Sequence, residues 1–337
     1  MHRTDGHPGP GPAEAQDRAY WLLEPGRGAI RPVALPAPGP DDVLVRTLWS
    51  GVSRGTEALV HRGGVPAGQH AVMRAPYQEG EFPGPVKYGY LNVGVVEQGP
   101  AGLRGHTVFC LYPHQTRYVV PAASVLPVPP GVPAERAVLA GTVETAVNAL
   151  WDLAPLVGDR LSVVGAGAVG CCVAAVAARI PGVRVELVDV EPSRAAVAER
   201  LGAAFALPVD ATGGRDHVVH TSATAAGLTR ALDLLADDGR VLELSWYGDR
   251  PVTVELGGDF HSRRLGVHGS QVGAVAAARR ASRTHADRLG LALELLADPA
   301  FDTLITRDVR FDDLPAELSR IAAGPEPDEL GTRVCYT

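Results

Sequence analysis

The chain has 337 residues, which is enough for two domains with a large hydrophobic core. Hydrophobic residues make up 46% of it and charged residues 20%, as in ordinary globular proteins. The formal net charge of −7 gives no basic field that would attract nucleic acid or an anionic membrane, so neither is an expected partner.

The start of the chain and the cysteines bear on where the protein works. Residues 1–19 are rich in Gly, Pro and His and lack the apolar core of a signal peptide, so we predict a disordered tail there. Cys171 and Cys172 are adjacent in an apolar run, and the spacing of the four cysteines fits neither a disulfide framework nor a zinc cluster. This pattern predicts a cytoplasmic protein.

Residues 20–150 alternate short apolar runs with turns rich in Gly and Pro, which predicts a compact β-rich, barrel-like domain. Residues 62–80 show no period and are expected to form a long surface loop of the kind that often covers a pocket. A helix is predicted over residues 134–153. The predicted strands cover residues 20–36, 42–50, 92–97, 105–110 and 116–120.

The stretch that organises the chain follows that helix. Residues 161–164 are a short apolar, β-prone run, and three glycines after it have separate roles. The first allows a sharp turn, the second leaves room for a pyrophosphate, and the third lets a new helix pack against the strand. The N-terminus of that helix offers free N–H groups to phosphates. The predicted phosphate-binding residues are Gly165, Gly167, Ala168, Val169 and Gly170.

A carboxylate stands where a dinucleotide site needs one. Asp189 lies 24 residues after Gly165, at the end of the second predicted strand. There it can accept both ribose hydroxyls of an adenosine and would repel a 2′-phosphate, which favours NAD over NADP. Two alternatives remain: the uncharged residues 161–178 reach the lower length limit of a membrane span, and a degenerate Rossmann fold could have lost its cofactor. The glycines and the βαβ order argue against the first, and the intact fingerprint argues against the second.

From residue 159 the pattern changes to alternating strands and helices, which predicts a parallel sheet with crossover helices. The C-terminal part is expected to pack back on the N-terminal domain. Ligand would then lie between the domains, at the carboxyl ends of the parallel strands. Strands are predicted over residues 185–189, 217–221, 241–245, 265–270, 305–311 and 331–336, and helices over 193–201, 225–235, 286–297 and from 312.

This order of domains resembles the medium-chain dehydrogenase/reductase superfamily. The motifs that carry the resemblance, besides the glycine fingerprint, are Gly55-Thr-Glu57, Gly89-Tyr-Leu-Asn-Val-Gly94, Thr145-Ala146 and Leu304-Ile-Thr-Arg307. Residues 53–57, 85–90 and 269–273 are similar to the bacteriochlorophyllide a dehydrogenase-like subgroup, which includes enzymes that oxidise a 3-hydroxyethyl group to acetyl.

The resemblance implies an α/β fold of two domains. One is a GroES-like, β-barrel-type catalytic domain over residues 20–155 and 276–337, and the other is a doubly wound Rossmann domain over residues 156–275. It also implies NAD(P)-dependent oxidoreductase chemistry and a homodimer formed through the strand at 265–270.

The zinc-binding members of this superfamily hold a catalytic metal through Cys, His with a neighbouring Glu, and Cys or Asp. The matching positions here hold Arg54, Tyr90 followed by Leu91, and Gly141, and residues 94–106 contain no cysteine. We therefore expect no zinc. The alternative is a relocated zinc site, which no carboxylate or thiol pattern supports. Its candidate ligands are the histidines His61, His70, His106 and His114.

A metal-free site needs a hydrogen-bond donor to the substrate oxygen or a proton relay. By resemblance Tyr90 is the first candidate donor, and otherwise it is a half-buried core tyrosine. Thr56 matches the family's relay hydroxyl, and otherwise it caps a helix. Arg54 could hold an anionic substrate group or an oxyanion, or form a structural pair with Glu57 or a salt bridge between domains.

Three further residues complete the candidate catalytic and nicotinamide sites. Lys87 could lower the pKa of Tyr90 or donate directly, and the alternative is a solvated lysine. Glu144 is either a charge at a helix N-terminus or a cleft carboxylate. Thr145 is expected beside the nicotinamide by resemblance, or it only packs its helix.

The last candidates lie on the Rossmann side. Arg194 follows the Asp189 turn and could stack on adenine or lie in solvent. Ser222 and Ser245 end predicted strands and are therefore expected near the cofactor. His220 is in a buried strand and is expected to be a core histidine with its hydrogen bonds satisfied.

These features predict a zinc-independent, NAD(H)-dependent oxidoreductase that interconverts a secondary alcohol and a ketone on a small or medium-sized metabolite, as in a biosynthetic tailoring step. One alternative is an NADPH-dependent quinone or enoyl reductase, against which Asp189 argues. The other is a non-catalytic nucleotide-binding protein, which the loss of the zinc ligands suggests.

Overall fold

The computed structural model describes residues 16–324 and 326–336. Most of the predicted tail, residues 1–15, lies outside this range. The described chain already starts a strand at Arg18, inside the predicted tail, and Ala19 is completely buried. The side chain of Arg117 donates to both carboxylate oxygens of Asp17, a contact across 100 residues that the local sequence does not reveal.

The first part of the chain forms short strands and three helices around two sheets. One sheet has the order β2-β1-β5-β4, and the larger one contains β3, β6, β7 and β9, with β8 paired to β3. The elements are β1 Arg18–Glu24, β2 Arg27–Pro32, β3 Asp42–Val52, α1 Arg54–His61, β4 Glu79–Gly80, β5 Val86–Lys87, β6 Leu91–Gln98, β7 Thr107–Cys110, β8 Arg117–Pro121, β9 Leu126–Pro127, α2 Ala134–Ala137 and α3 Ala140–Leu153.

The middle of the chain forms a six-stranded parallel sheet with the order β12-β11-β10-β13-β14-β15. This is the strand order of a doubly wound dinucleotide-binding fold. Successive strands are added on one side of β10 up to β12 and on its other side from β13 onward. The elements are β10 Arg160–Val164, α4 Ala168–Ala177, β11 Arg184–Val188, α5 Arg194–Leu201, β12 Ala204–Ala206, β13 His217–His220, α6 Ala225–Leu234, β14 Arg240–Glu243, α7 Asp259–Ser262 and β15 Gly266–Gly269.

The C-terminal part returns to the larger of the first two sheets. Its last two strands pair in parallel, and the final strand pairs antiparallel with β3, so Val334 lies opposite Ser50. The elements are α8 His285–Leu295, β16 Ile305–Arg310, α9 Leu314–Ala323 and β17 Gly331–Cys335.

Helix α3 joins the two halves of the molecule through a shared core. Val143 and Ala146 on this helix belong to the same buried cluster as Leu91 and Phe109 of the antiparallel sheet and Leu161 of the parallel sheet. Because a packed interior leaves little room for relative movement, this helix holds the ends of the parallel strands against the barrel.

The structure differs from the predicted elements in several places. The strand expected over 20–36 is two strands, β1 and β2, and the two-residue strands β4, β5 and β9 were not predicted. The helix expected over 134–153 is two helices, separated at Val138 and Leu139. Strand β12 and helix α7 have no counterpart in the prediction, because each has only three or four residues and no period to recognise. No helix of the described chain combines the length and apolar character that a membrane crossing requires.

Candidate functional site

The three fingerprint glycines differ in the space around them. Gly165 has φ of +111°, and a Cβ there would lie 2.7 Å from the backbone nitrogen of Ser222. A Cβ at Gly170 would lie 1.9 Å from the carbonyl oxygen of Gly165, so the helix can approach the turn only without a side chain. A Cβ at Gly167 would meet nothing within 4 Å. The turn is therefore closed on two sides and open at Gly167, as a diphosphate requires.

Asp189 follows β11 and ties the glycine turn to the strand end. One carboxylate oxygen accepts the backbone N–H of Ala166 at 2.6 Å, and the other accepts that of Glu191 at 2.9 Å. A carboxylate has about four acceptor positions, so each oxygen keeps a lone pair for a ribose hydroxyl. The half-buried Asp189 thus fits the nucleotide role predicted for it.

Arg194 is buried rather than exposed, and it binds protein instead of presenting a free face to adenine. Its guanidinium donates to the carbonyl oxygens of residues 327–329, at distances from 2.6 to 3.1 Å. Arg54 donates to the carbonyl of Glu329 at 2.5 Å. Burial and the nearby charge of Arg194 lower the pKa of Arg54, while Glu329 and Asp189 oppose this shift. Both arginines therefore anchor residues 327–329 of the C-terminal segment.

Tyr90 and Thr56, each named as a candidate by resemblance, hydrogen-bond with each other. The half-buried Tyr90 ring packs edge-on against Tyr88, with 6.1 Å between ring centroids, and its hydroxyl hydrogen-bonds with the side chains of Ser53 and Thr56. Burial raises the pKa of Tyr90, and these two hydroxyls lower it in part. Tyr90 is therefore a neutral phenol at neutral pH, able to donate a hydrogen bond.

A buried polar chain lies behind Tyr90, and the sequence analysis missed it. Glu57 accepts the backbone N–H of Ser53 at 2.7 Å and lies 2.9 Å from Nε2 of His114. Nδ1 of His114 lies 2.7 Å from the hydroxyl of Ser50, which is 2.9 Å from the hydroxyl of Tyr336. The partner of Glu57 is therefore His114, 57 residues away, and not Arg54.

One of the positions that hold zinc ligands in the resembling family, Gly141, is surrounded here by apolar groups. A Cβ at Gly141 would lie 2.5 Å from a methyl group of Leu91, with Leu111 and Phe109 at about the limit of contact. The four histidines considered for a relocated site have separate surroundings: His61 contacts Tyr20 and Ser319, His70 contacts Val65, His114 contacts Glu57 and Ser50, and His106 is exposed. Within residues 16–324 and 326–336, no three His, Cys, Asp or Glu side chains come together as metal ligands.

Lys87 lies away from Tyr90 and Thr56. It is buried, hydrogen-bonds with Glu79 and Gln115, and lies over the ring of Tyr112. It borders a separate cavity of about 370 Å³ whose lining includes neither Tyr90 nor Thr56. Burial lowers the pKa of Lys87, and Glu79 opposes the shift. Its contacts give Lys87 a structural place in the barrel.

Glu144 also has a structural place. Its carboxylate accepts a hydrogen bond of 3.0 Å from the buried Arg288, which also donates to Asn148 and to the carbonyl of Val272. Burial raises the pKa of Glu144, and Arg288 opposes that shift. The pair joins α3 to α8, so Glu144 is not a free cleft carboxylate. Thr145 donates its hydroxyl to Gly141 within α3.

Ser222 and Ser245 follow β13 and β14, where the parallel strands end. Ser245 accepts the backbone N–H of Ala223 at 3.1 Å, and Ser222 lies 2.7 Å from Nε2 of His220. His220 is completely buried with both ring nitrogens engaged, as expected of a core histidine. Its other partner is Glu243, at 2.7 Å.

Glu243 and Tyr247 were not among the predicted site residues. The hydroxyl of Tyr247 donates to Glu243 at 2.9 Å. The signal that could have found both residues is their position, because they lie at and just after the carboxyl end of a predicted parallel strand.

No protein-family model matches the chain. The L-threonine 3-dehydrogenase of Bacillus velezensis is 30% identical over 162 residues, which are 44% of this chain and 46% of that protein. The match thus spans less than half the length of the relative.

Solved structures match over nearly the whole chain. A protein assigned as a zinc-binding dehydrogenase from Sinorhizobium meliloti, bound to NADP, superposes with a TM-score of 0.74 at 20% identity and covers 96% of this chain and 100% of its own. The 2R,3R-butanediol dehydrogenase of Bacillus subtilis does so with a TM-score of 0.74 at 17% identity, covering 95% and 100%. These likenesses confirm the predicted fold: the chain combines a GroES-like barrel-type domain and a Rossmann domain in the arrangement found in zinc-type alcohol dehydrogenases.

Proposed function

We propose that the protein is an NAD(H)-dependent oxidoreductase that interconverts a secondary alcohol and a ketone on a small or medium-sized metabolite, without zinc. The observation that carries the proposal is the glycine turn that is open only at Gly167, with Asp189 at the end of the neighbouring strand. A bound nicotinamide cofactor would supply hydride transfer. The threonine and butanediol dehydrogenases that resemble this chain are named for alcohol substrates, which supports the same reaction class.

The chain offers separate groups for the two halves of the cofactor. The N-terminus of α4 and the backbone at Gly167 would bind the diphosphate, because N–H groups and the helix dipole favour negative charge there. Asp189 would accept the adenosine ribose hydroxyls and disfavour a 2′-phosphate, so NAD is the proposed cofactor. Ser222 and Ser245 lie at the strand ends that would face the nicotinamide half.

Tyr90 is the proposed group that binds the substrate oxygen. Its neutral hydroxyl would donate a hydrogen bond to the ketone oxygen, or accept one from the alcohol, while Ser53 and Thr56 orient it. The apolar groups of Leu91 and Leu111 beside Gly141 would exclude water instead of holding a Lewis acid.

Assembly and location form part of the proposal. Strand β15 is an exposed edge of the parallel sheet, with Val267 46% exposed, so its free backbone groups could pair with a second copy and form a homodimer. We propose a cytoplasmic location and no nucleic-acid or membrane partner.

Cofactor binding is the first test. Trp246 lies just beyond the carboxyl end of β14, so energy transfer from tryptophan to bound NADH should report binding. We expect micromolar NADH affinity, weaker NADPH affinity and no stoichiometric zinc by metal analysis. The Asp189→Asn variant should narrow the difference between the two cofactors. Binding of neither cofactor would end the proposal.

Turnover is the second test. NAD reduction would be followed with (2R,3R)-butanediol, L-threonine and 1-phenylethanol. Reduction of an enone with NADPH, without oxidation of any alcohol, would instead identify a quinone or enoyl reductase. Cofactor binding without hydride exchange against a broad panel would identify a nucleotide-binding protein that is not an enzyme.

A further inference from the structure

Three side chains at the ends of β13 and β14 form a continuous hydrogen-bonded chain. The hydroxyl of Ser222 lies 2.7 Å from Nε2 of His220, and Nδ1 of the same ring lies 2.7 Å from Glu243. Both distances are those of strong hydrogen bonds. A serine, a histidine and a carboxylate linked through opposite ring nitrogens are the arrangement that moves a proton between a hydroxyl and an imidazole.

The contacts of Glu243 determine which ring nitrogen carries the proton. Burial would raise the pKa of Glu243, but hydrogen bonds from His220 and Ser245 outweigh it and hold this pKa below its ordinary value. An ionised carboxylate only accepts hydrogen bonds, so Nδ1 of His220, which faces Glu243, is the donor of that bond. In a neutral ring Nε2 is then an acceptor, 2.7 Å from the hydroxyl of Ser222, which also lies 2.9 Å from the hydroxyl of Thr224. A proton that reaches the Ser222 oxygen can therefore pass to the ring.

The chain opens toward the proposed cofactor site. Ser222 is half-buried, and its backbone nitrogen lies so close to Gly165 that no side chain fits between them. The loop after β14 reaches the barrel, because Asp249 donates its backbone N–H to Gly64 at 3.1 Å. In the same loop, Trp246 packs against the hydrophobic cluster that Tyr90 also contacts. Ser245 of this loop accepts the backbone N–H of Ala223, so the serine end lies beside the loop that contacts the barrel.

We propose that Ser222, His220 and Glu243 form the proton relay of the oxidoreductase, an inference that rests on the proposed function. A bound nicotinamide would supply the acceptor for the hydride of the alcohol C–H bond. The alcohol O–H proton would pass to the Ser222 oxygen, directly or through water. The Ser222 proton moves at the same time to Nε2, so His220 becomes an imidazolium that Glu243 stabilises. The proton is later released to solvent, and ketone reduction runs the same transfers in reverse.

Few other charges surround the imidazole. Among the described residues, the titratable groups that contact His220 are Glu243 on β14 and Tyr247 in the following loop. Arg250 acts on Tyr247. Helix α6 packs against β13, but its Arg230 and Asp233 pair with each other at 3.9 Å. A change in the charge of His220 would therefore interact electrostatically chiefly with Glu243.

The relay is tested with variants that break it at different points. In His220→Gln we expect alcohol oxidation to fall about 100-fold or more in kcat, the usual size of general acid–base contributions. NADH affinity should change less than about threefold, and the acidic limb of the pH profile should disappear. Ser222→Ala should behave similarly, and Ser222→Thr, which keeps the hydroxyl, should recover at least about tenfold of the lost rate.

A matched control separates this role from packing. His61 is also buried between two hydroxyls, those of Tyr20 and Ser319, each at 3.3 Å. His61→Gln should leave the shape of the pH profile intact. If His220→Gln turns over the alcohol with an unchanged pH profile, the relay is wrong and the proposed function stands. If the wild-type protein transfers no hydride, the proposed function fails instead.

One readout does not depend on turnover. In protein with ¹⁵N-labelled histidine, NMR should show Nδ1 of His220 protonated and Nε2 unprotonated at neutral pH. Glu243→Gln should change this tautomer preference. A proton found on Nε2 in the wild-type protein would overturn the relay, because the ring could not then accept one from Ser222.

Discussion

Each of the two domains buries a histidine against a glutamate, and the two pairs differ in whether their hydroxyl partner is enclosed or partly exposed. His114 and Glu57 lie inside the barrel, and the next hydroxyl, that of Ser50, is completely buried too. His220 is equally buried, but its hydroxyl partner Ser222 is half-exposed at the end of a parallel strand. The same two residue types therefore make an enclosed pair in one domain and an open chain in the other.

The difference shows that strand position, more than residue type, decides what such a pair can do. An enclosed pair exchanges no proton with a ligand, so its hydrogen bonds mainly satisfy buried polar groups and hold elements together. A pair at the carboxyl end of a parallel strand faces the crevice where ligands bind in doubly wound folds. We therefore expect substitution of His114 to reduce mainly stability and substitution of His220 to reduce mainly the reaction rate.

The largest expected effect on stability is at the enclosed pair. His114→Ala opens a cavity and removes the hydrogen-bond partner of two buried groups, Glu57 and Ser50, so the free energy of unfolding should fall by about 3–5 kcal/mol. His220→Gln should cost only about 1–2 kcal/mol, since an amide replaces part of the hydrogen bonding. Urea denaturation of both variants measures the difference. Equal losses, or a larger one at His220, would contradict the comparison.

The next largest effect is expected on the reaction rate at Tyr90, the proposed substrate-binding residue, which lies near Glu57 of the enclosed pair. Tyr90→Phe removes the proposed donor, so kcat for alcohol oxidation should fall about 100-fold, or roughly 2.7 kcal/mol. Tyr88→Phe, in the neighbouring ring, is the control and should keep most of the rate. Steady-state kinetics with circular dichroism of both variants checks this. A Tyr90→Phe enzyme with wild-type kcat would remove Tyr90 from the proposed chemistry.

Two glycines of the turn allow effects on stability and effects on cofactor binding to be measured separately. Gly170→Ala forces a methyl group against the carbonyl of Gly165, so we expect destabilisation of about 1–3 kcal/mol. Gly167→Ala meets no protein atom, so stability should change by less than about 0.5 kcal/mol, while NADH binding weakens because the methyl group enters the diphosphate space. Thermal denaturation and NADH titration of the two variants give both quantities. If Gly167→Ala lost stability and Gly170→Ala only lost NADH affinity, the turn would not be open at Gly167.

The smallest effect comes from a carboxylate paired with arginines. Burial would raise the pKa of Glu317, but Arg320 and Arg307 outweigh it and hold this pKa below 4.5. A lowered folded-state pKa contributes stability above the unfolded value, and that contribution is lost as the pH falls through the folded one. Stability should therefore decline below about pH 4.5, and Glu317→Gln should flatten part of that decline and cost about 1–2 kcal/mol at pH 7. Melting temperatures from pH 3.5 to 7 test this, and an unchanged acid slope in the variant would exclude Glu317 as a source.

The nucleotide half of the site could be predicted well because its parts are close in sequence. A strand, a glycine turn and a helix start within ten residues, and Asp189 follows at the next strand end. Tyr90 and Thr56 came from family resemblance, and the structure brings them together. The buried contacts of Lys87 and Glu144 could not be predicted, because their partners Gln115 and Arg288 are far along the chain.

The sequence by itself predicted the parallel sheet and the glycine turn, because hydrophobic period and glycine geometry are local properties, whereas the strand order came from the tertiary structure. Only the tertiary structure determined which polar side chains hydrogen-bond with each other. His114 and Glu57 are 57 residues apart, and His220 and Glu243 are 23 apart on neighbouring strands. Strand register and packing bring these pairs within hydrogen-bond distance, and burial decides which of them can reach a ligand.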